Sequence, residues 1–247
     1  MESKIRIKWF DTLDSTNDEL LRHLSDYDNL SVAAAVEQSA GRGQRGNRWL
    51  SRPGENLTFS LLLRPSDLPV REVMSVTYLS TLVVRDWLRG KGIPAVIKWP
   101  NDIYAGNRKI GGMLVENGLE GTSVAWSVIG IGINLNQTVF PGELVNPTSL
   151  KRLTGRDYDL KESLEEICRL FEERLSDLSD HRDRLYADYC DGLFQGGLPC
   201  PYRDLATGEE FIGTIKGVAQ GGRLLMDRAG TLVTYSFKEV GYILRWP

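Results

Sequence analysis

Between Gly41 and Trp49 the chain reads GRGQRGNRW, which sets three glycines, three arginines and a tryptophan in nine residues. A helix tolerates such glycines poorly, at about 1 kcal/mol each relative to alanine. A plain linker has no use for the guanidinium groups of Arg42, Arg45 and Arg48 or for an indole. The composition suits a loop that wraps an anionic or planar ligand. Glycine lets main-chain N–H groups come close to a ligand and form anion-binding concavities, and arginine adds two-point contacts to carboxylate or phosphate. A solvated basic turn is the plainer alternative. The stretch is not a Walker loop, since no G-x-x-x-x-G-K-[ST] occurs, and no helical pattern follows Gly46 as a dinucleotide-binding fingerprint requires.

Three other stretches carry residues of the same kind. Asp14-Ser15-Thr16-Asn17 stands at an expected helix start. An N-cap accounts for one hydroxyl, whereas the free N–H donors and polar side chains there can also hold a ligand's polar atoms. Lys98-Trp99-Pro100-Asn101-Asp102 joins a strand end to a turn. Asp102 either caps that turn or helps to hold Mg²⁺, which takes one or two carboxylates plus substrate phosphates. In RKIGGMLVE (108–116) Lys109 is followed by Gly111 and Gly112. It is either a surface lysine or an inward cation with room left beside it.

What is missing narrows the chemistry. No Ser-His-Asp set can be assembled, because both histidines, His23 and His181, lie in charge-rich helical surroundings. No metal-ligand cluster is visible. The chemistry implied uses no nucleophile of the chain's own. Glycine N–H groups, arginine and lysine would steady negative charge, which suits phosphoryl or adenylyl transfer.

Such residues need elements to hold them. Thr16 and Glu19 have the spacing of a capping box, and Leu20, Leu21 and Leu24 follow at helical intervals, so a helix is expected from Thr16. Ser31–Gln38 reads as a short buried strand feeding the glycine-arginine loop, and 56–64 as a second strand. Apolar residues recur at helical spacing over 70–88, with Gly90 as the stop. Strands are expected over 95–99, 103–104, 109–116 and 123–134, the last two parted by a turn at 118–121. Residues 160–189 read as mostly helical. Beyond Pro199 and Pro201, strands over 211–218, 223–227, 231–236 and 239–244 suggest a little barrel or sandwich. A boundary near Pro199 divides the chain into 1–198 and 199–247. The first part is α+β, with hairpin strands and helices over one face.

The overall balance excludes some classes. With 30 basic and 33 acidic side chains the net charge is -3, so no bulk field favours nucleic acid. Cys168, Cys190 and Cys200 fit no zinc spacing and read as reduced thiols of a cytoplasmic protein. The N-terminus lacks the apolar core of a signal peptide. The longest apolar-rich run, 122–135, is interrupted by Gly130, Gly132 and Asn134 and is too short to span a membrane.

Taken in order, DSTN (14–17), QSAGRGQRGNRW (38–49), KWPND (98–102), RKIGGMLVE (108–116) and GIGINLN (130–136) resemble the catalytic core of the biotin protein ligases, or holocarboxylase synthetases. The tail, with G-x-x-x-G-V (213–218), GGRLLM (221–226) and EVGYILR (239–245), is similar to that family's small C-terminal barrel. The resemblance covers nearly the whole chain. It implies a class II synthetase-like mixed sheet over 1–198 and an SH3-like barrel over 199–247. It also implies a two-step reaction. The biotin carboxylate attacks the α-phosphate of ATP to give biotinyl-5'-AMP and pyrophosphate. A lysine of a biotin carboxyl carrier protein then takes the biotin, so the missing nucleophile comes from the partner.

The resemblance assigns the residues as follows. Arg42 and Lys109 shield the repulsion between two anions and are the catalytic pair. Ser15, Thr16, Asn17, Gln38, Gly41, Gly43 and Gln44 join them around biotin. Arg45, Trp49, Lys98, Asn101 and Asn134 face ATP, and Asp102 faces Mg²⁺. Gln44 is a departure, because members of the family often carry arginine there, and faster leakage of the adenylate is expected. Ser236-Phe237-Lys238-Glu239 departs from the usual Gly-Glu-Val. Some members begin with a DNA-binding helix-turn-helix, whereas here the core begins almost at Met1, so a ligase without DNA binding is expected. A homodimer is compatible with the sequence. A lipoate or octanoate ligase and a biotin- or nucleotide-sensing protein without transfer activity are the competing readings.

Overall fold

The computed structural model describes residues 4–244, with the backbone alone at Arg45. Strands β1 (Arg6–Leu13), β2 (Ser31–Gln38), β3 (Leu57–Leu63), β4 (Ala95–Lys98), β5 (Asp102–Ala105), β6 (Arg108–Glu120) and β7 (Ser123–Ile133) form one sheet. Its order is β1-β2-β3-β7-β6-β5-β4. β1 and β2 run parallel, with the short helix α1 (Thr16–Arg22) as their crossover, and the other neighbours are antiparallel hairpins or returns.

The central strand β3, LTFSLLL, is buried at every position. The pleat sends alternate residues to opposite faces, so both faces must be covered. Leu57, Phe59, Leu61 and Leu63 enter the main core beneath α2 (Met74–Gly90) and α4 (Leu160–Asp180), with Leu79, Val83, Leu164 and Phe171. Each such side chain contributes about 1.5–3 kcal/mol relative to exposure. Leu62 joins Leu20 of α1, Ala33 and Val128 in a smaller cluster on the other face. The long helices thus lie on one face and α1 on the other. α3 (Leu150–Thr154) and α5 (Arg182–Asp191) complete the helices.

A second, five-stranded antiparallel sheet follows, built from β8 (Pro199–Asp204), β9 (Glu210–Val218), β10 (Leu224–Arg228), β11 (Thr231–Tyr235) and β12 (Val240–Tyr242). Its order is β11-β10-β9-β8-β12. Tyr202, Leu224 and Met226 fill its interior. It is tied to the first sheet by Trp99 Nε1, which donates to Gly222 O at 2.9 Å, and by Phe194, whose ring lies between Tyr104 and Tyr242. The α+β class with a separate C-terminal sheet is the one indicated by the sequence. No helix among the described residues is long and apolar enough to cross a membrane.

Local differences have local causes. The cap of α1 is Ser15, whose hydroxyl accepts from Asp18 N, one residue before the expected Thr16. Glu19 is thereby freed to accept from the Tyr27 hydroxyl at 2.8 Å. α2 runs through Gly90, and the left-handed turn falls at Gly92, with φ +83. β6 continues through Gly118 to Glu120, because the Trp126 ring of β7 fills the space beside that glycine. The helical stretch over 160–189 divides at His181. β1, α3 and β8 have no sequence expectation. Pro199 and Pro201 stand inside β8 rather than ahead of a strand.

Candidate active site

The C-terminal end of β2, the start of α1 and strands β5, β6 and β7 converge on one cavity of about 130 Å³. The glycine-arginine loop forms its wall on one side and the β5–β6 hairpin on the other. Ser15, Thr16, Asn17, Gln38, Arg42, Gly43, Gln44, Trp49, Asn101, Asp102 and Lys109 line it. Gly41, Lys98 and Asn134 are not among its lining residues. The side chain of Arg45 lies outside the described residues.

The start of α1 is held from below. Thr16 N donates to Gln38 Oε1 at 2.8 Å. The buried Ser60 hydroxyl lies 2.7 Å from Thr16 Oγ1 and 2.6 Å from Asn17 Oδ1. Asn17 Nδ2 donates to Glu116 Oε2 at 2.8 Å and to Leu114 O at 3.2 Å. A donor on one side and two acceptors on the other fix which way the amide faces. Two glycines on one face of β7 make room for this arrangement. A Cβ on Gly130 would stand 2.1 Å from Asn17 Oδ1, and one on Gly132 would stand 2.4 Å from the Trp49 ring.

The glycine-arginine loop is an ordered hairpin-like turn. Trp49 N donates to Gly41 O at 2.9 Å and Gly43 N to Asn47 O at 2.8 Å. A Cβ on Gly41 would lie 2.6 Å from the Trp49 carbonyl oxygen, so that glycine permits close packing of the loop on itself. The Trp49 indole N–H is buried and has no hydrogen-bond partner. It is one donor that the protein leaves unused beside the cavity.

Each cation of the expected catalytic pair already has carboxylate partners. Arg42 Nη1 donates to Asp18 Oδ1 at 2.5 Å, and Nη2 donates to Glu116 Oε1 at 2.8 Å. Its hydrogen bond to Glu116 raises the guanidinium's already high pKa. Lys109 Nζ pairs with Asp102 Oδ1 at 2.6 Å. Cations partly withdrawn from water are costly unless paired, and each has found a carboxylate. Lys98 is handled differently. Its Nζ lies 5.4 Å from the Tyr104 ring centroid and 4.7 Å from that of Tyr242 of the second sheet. Burial pushes its pKa below the usual lysine range, Asp102 opposes the shift and Lys109 adds to it.

Two amides brace strands. Asn101 donates its side-chain amide to Met113 O, and its main-chain carbonyl accepts from Met113 N at 3.0 Å. Asn134 Nδ2 donates to Thr148 O at 2.9 Å. Asp102 is the one carboxylate lining the cavity among the described residues. No cluster of three or more His, Cys, Asp or Glu groups that would hold a metal occurs among them. That donor set fits Mg²⁺ arriving with phosphates and completing its shell with their oxygens.

Sequence reasoning passed over Ser60, Asp18, Glu116, Gly130, Gly132 and Phe237, which also take part in this site or line it. Ser60 had a signal: Thr58 and Ser60 recur at a spacing of two in an otherwise apolar strand, which marks one face as different.

Residues 9–134 match the family model described as the biotin/lipoate A/B protein ligase family. The bifunctional ligase/repressor BirA of Bacillus subtilis is 37% identical over 155 residues, which is 61% of this chain and 47% of that protein. The chain thus spans about half the length of that relative. The biotin–[acetyl-CoA-carboxylase] ligase of Paracoccus denitrificans is 32% identical over 166 residues, 64% of this chain and 68% of that protein. Among solved structures, the biotin protein ligase of Aquifex aeolicus in complex with biotin and ATP superposes with a TM-score of 0.77 at 26% identity. The match covers 96% of this chain and 97% of that one.

Proposed function

The chain belongs to the biotin/lipoate A/B protein ligase family, and from that premise we propose that it activates biotin with ATP and transfers it to a lysine of a biotin carboxyl carrier domain. The observation that carries this reading is a single cavity lined by polar groups from α1, an arginine from the glycine loop and a lysine beside a lone carboxylate. In the first step a biotin carboxylate oxygen bonds to the α-phosphorus, and pyrophosphate leaves with the electrons of the broken P–O bond. In the second the carrier's neutral lysine amine attacks the biotinyl carbonyl and forms an amide, AMP departs with the electrons of the broken C–O bond, and the amine's proton passes to solvent.

The catalytic demand of the first step is electrostatic, because two anions must approach each other. Arg42 and Lys109 supply the two cations. Ser15, Thr16, Asn17 and Gln38 hold the polar ring of biotin, with Gly43 and Gln44 beside them. Trp49 and Asn101 flank the nucleotide, while Lys98 and Asn134 act from behind the cavity wall. Asp102 would hold Mg²⁺, which neutralises phosphate charge when bound. Residues 1–198 form the catalytic part and 199–247 the small C-terminal part, with no nucleic-acid partner and a cytoplasmic setting.

The test is ATP–pyrophosphate exchange with biotin against lipoate, followed by transfer of labelled biotin to a carrier domain. Exchange with biotin alone and label on the carrier are expected, both abolished in Lys109→Ala. Exchange driven by lipoate, or transfer that survives in Lys109→Ala, would overturn the assignment.

A further inference from the structure

Glu116 stands where ring recognition and charge handling meet. Its Oε2 accepts from Asn17 Nδ2 at 2.8 Å and from Arg42 Nη1 at 3.1 Å, and its Oε1 accepts from Arg42 Nη2 at 2.8 Å. The carboxylate therefore grips the end of the guanidinium fork with both oxygens. Asp18 takes the other hydrogen of Nη1 at 2.5 Å. Nη1 has then spent both hydrogens and Nη2 one. The Nε–H and the remaining Nη2–H lie along one edge of the planar group. Neither has a partner among the described residues. That edge has the two-donor geometry that a carboxylate or a phosphate accepts.

The anchor comes from the sheet. Glu116 stands on β6 in register with Val128 of β7, whereas Arg42 stands on a loop with its side chain 38% exposed. A long arginine on a loop has many rotamers unless something behind it selects one. We infer that Glu116 is a positioning residue for the adenylation step. It sets the Asn17 amide and the Arg42 guanidinium in one geometry, and by holding the end of the fork it leaves the Nε/Nη2 edge to the incoming anion. This rests on the ligase reading above.

The test uses the full chain and biotin-dependent pyrophosphate exchange. In Glu116→Gln the new amide oxygen still accepts from Asn17, but the ion pair with Arg42 is gone. The expected result is a kcat lower by about 10- to 100-fold, the range for losing a hydrogen bond to a charged group. The KM for biotin should move by less than about 3-fold, because ring recognition is retained. Glu116→Asp keeps the charge and should recover most of the lost kcat. In an Arg42→Gln background, Glu116→Gln should cost no more than about 2-fold further, since its effect passes through Arg42.

An unchanged kcat in Glu116→Gln, or the same loss with and without Arg42, would overturn the inference. If thermal melting shows that Glu116→Gln does not fold, Glu116→Asp carries the test: a residual loss of about 2- to 5-fold in kcat at constant KM supports it, and an unchanged kcat or a rise in KM sinks it. A wild-type chain with no biotin-dependent exchange would instead sink the ligase reading, so the two failures are distinguishable.

Discussion

The cavity has a loop side and a strand side, and they hold their cations in opposite ways. On the loop side Arg42 is partly exposed and shared between Asp18 and Glu116. On the strand side Lys109 pairs with Asp102 within the β5–β6 hairpin, and Lys98 is half-buried against two tyrosine rings. A guanidinium can keep one carboxylate while it takes a second anion, because its donors lie on separate edges. An ammonium has no such edges, and the strand side depends on backbone placement instead. The difference divides the labour: the loop side keeps an unspent donor edge of Arg42 for an incoming anion, while the strand side relies on the backbone register of its hairpin.

The largest expected effect comes from the floor on which the loop side rests. Gly130→Ala puts a methyl group 2.1 Å from Asn17 Oδ1, against an amide already held by Ser60 and Glu116. Asn17 must leave those partners. Losing two buried hydrogen bonds is expected to weaken biotin binding by about 100-fold or more. Overpacking should cost about 1–3 kcal/mol of stability. Titration calorimetry with biotin checks it, and an affinity within about 3-fold of wild type would show that Asn17 is not the fixed point of that side.

The strand side is probed by Lys98→Met. Burial lowers the pKa of Lys98 in the folded chain, so the folded state gives up that proton at a lower pH than the unfolded state, which releases it near about 10.4. The penalty is complete below the folded pKa and disappears as pH rises through the window up to the unfolded value. Wild type should therefore gain stability, relative to Lys98→Met, between neutral and strongly alkaline pH. At neutral pH the methionine variant should equal or exceed wild type in urea stability, by up to about 1 kcal/mol. Parallel urea melts at the two pH values decide it, and identical pH slopes would mean that Lys98 is not desolvated.

Much of this organisation was legible before any coordinates. Motif residues from α1, the loop and the β5–β6 hairpin do line one cavity, because each motif lies at a strand end or turn that the sheet order brings together. What escaped was pairing. Asp18 and Glu116 look like solvated charges in sequence, and only the register of β6 beside β7 brings Glu116 to Asn17 and Arg42. β1 was legible and was passed over: in KIRIKW charged and apolar residues alternate at the period of a half-exposed strand, and it lies at the sheet edge. β8 was hidden because its prolines read as breaks. Gly130 and Gly132 read as part of an apolar strand, and their use lies in what a Cβ would strike.

The smallest expected effect separates the exposed pair just ahead of α1 from the floor of the loop side. Arg22 donates to both oxygens of Asp14, and together with the Ser15 N–H it lowers the Asp14 pKa to about 2. A depressed carboxylate contributes stability above its unfolded pKa of about 3.9 and loses it as pH falls through the folded value. Wild type should then lose slightly more stability than Asp14→Asn between about pH 4 and pH 2, and only slightly, because both side chains are about half exposed and water screens the pair. At neutral pH the variant should bind biotin within about 2-fold of wild type, since exposed pairs of this kind contribute little. If Asp14→Asn weakened binding as much as Gly130→Ala, the loop side would be anchored at the exposed pair ahead of α1, and the case for Asn17 and Glu116 as its fixed points would fail.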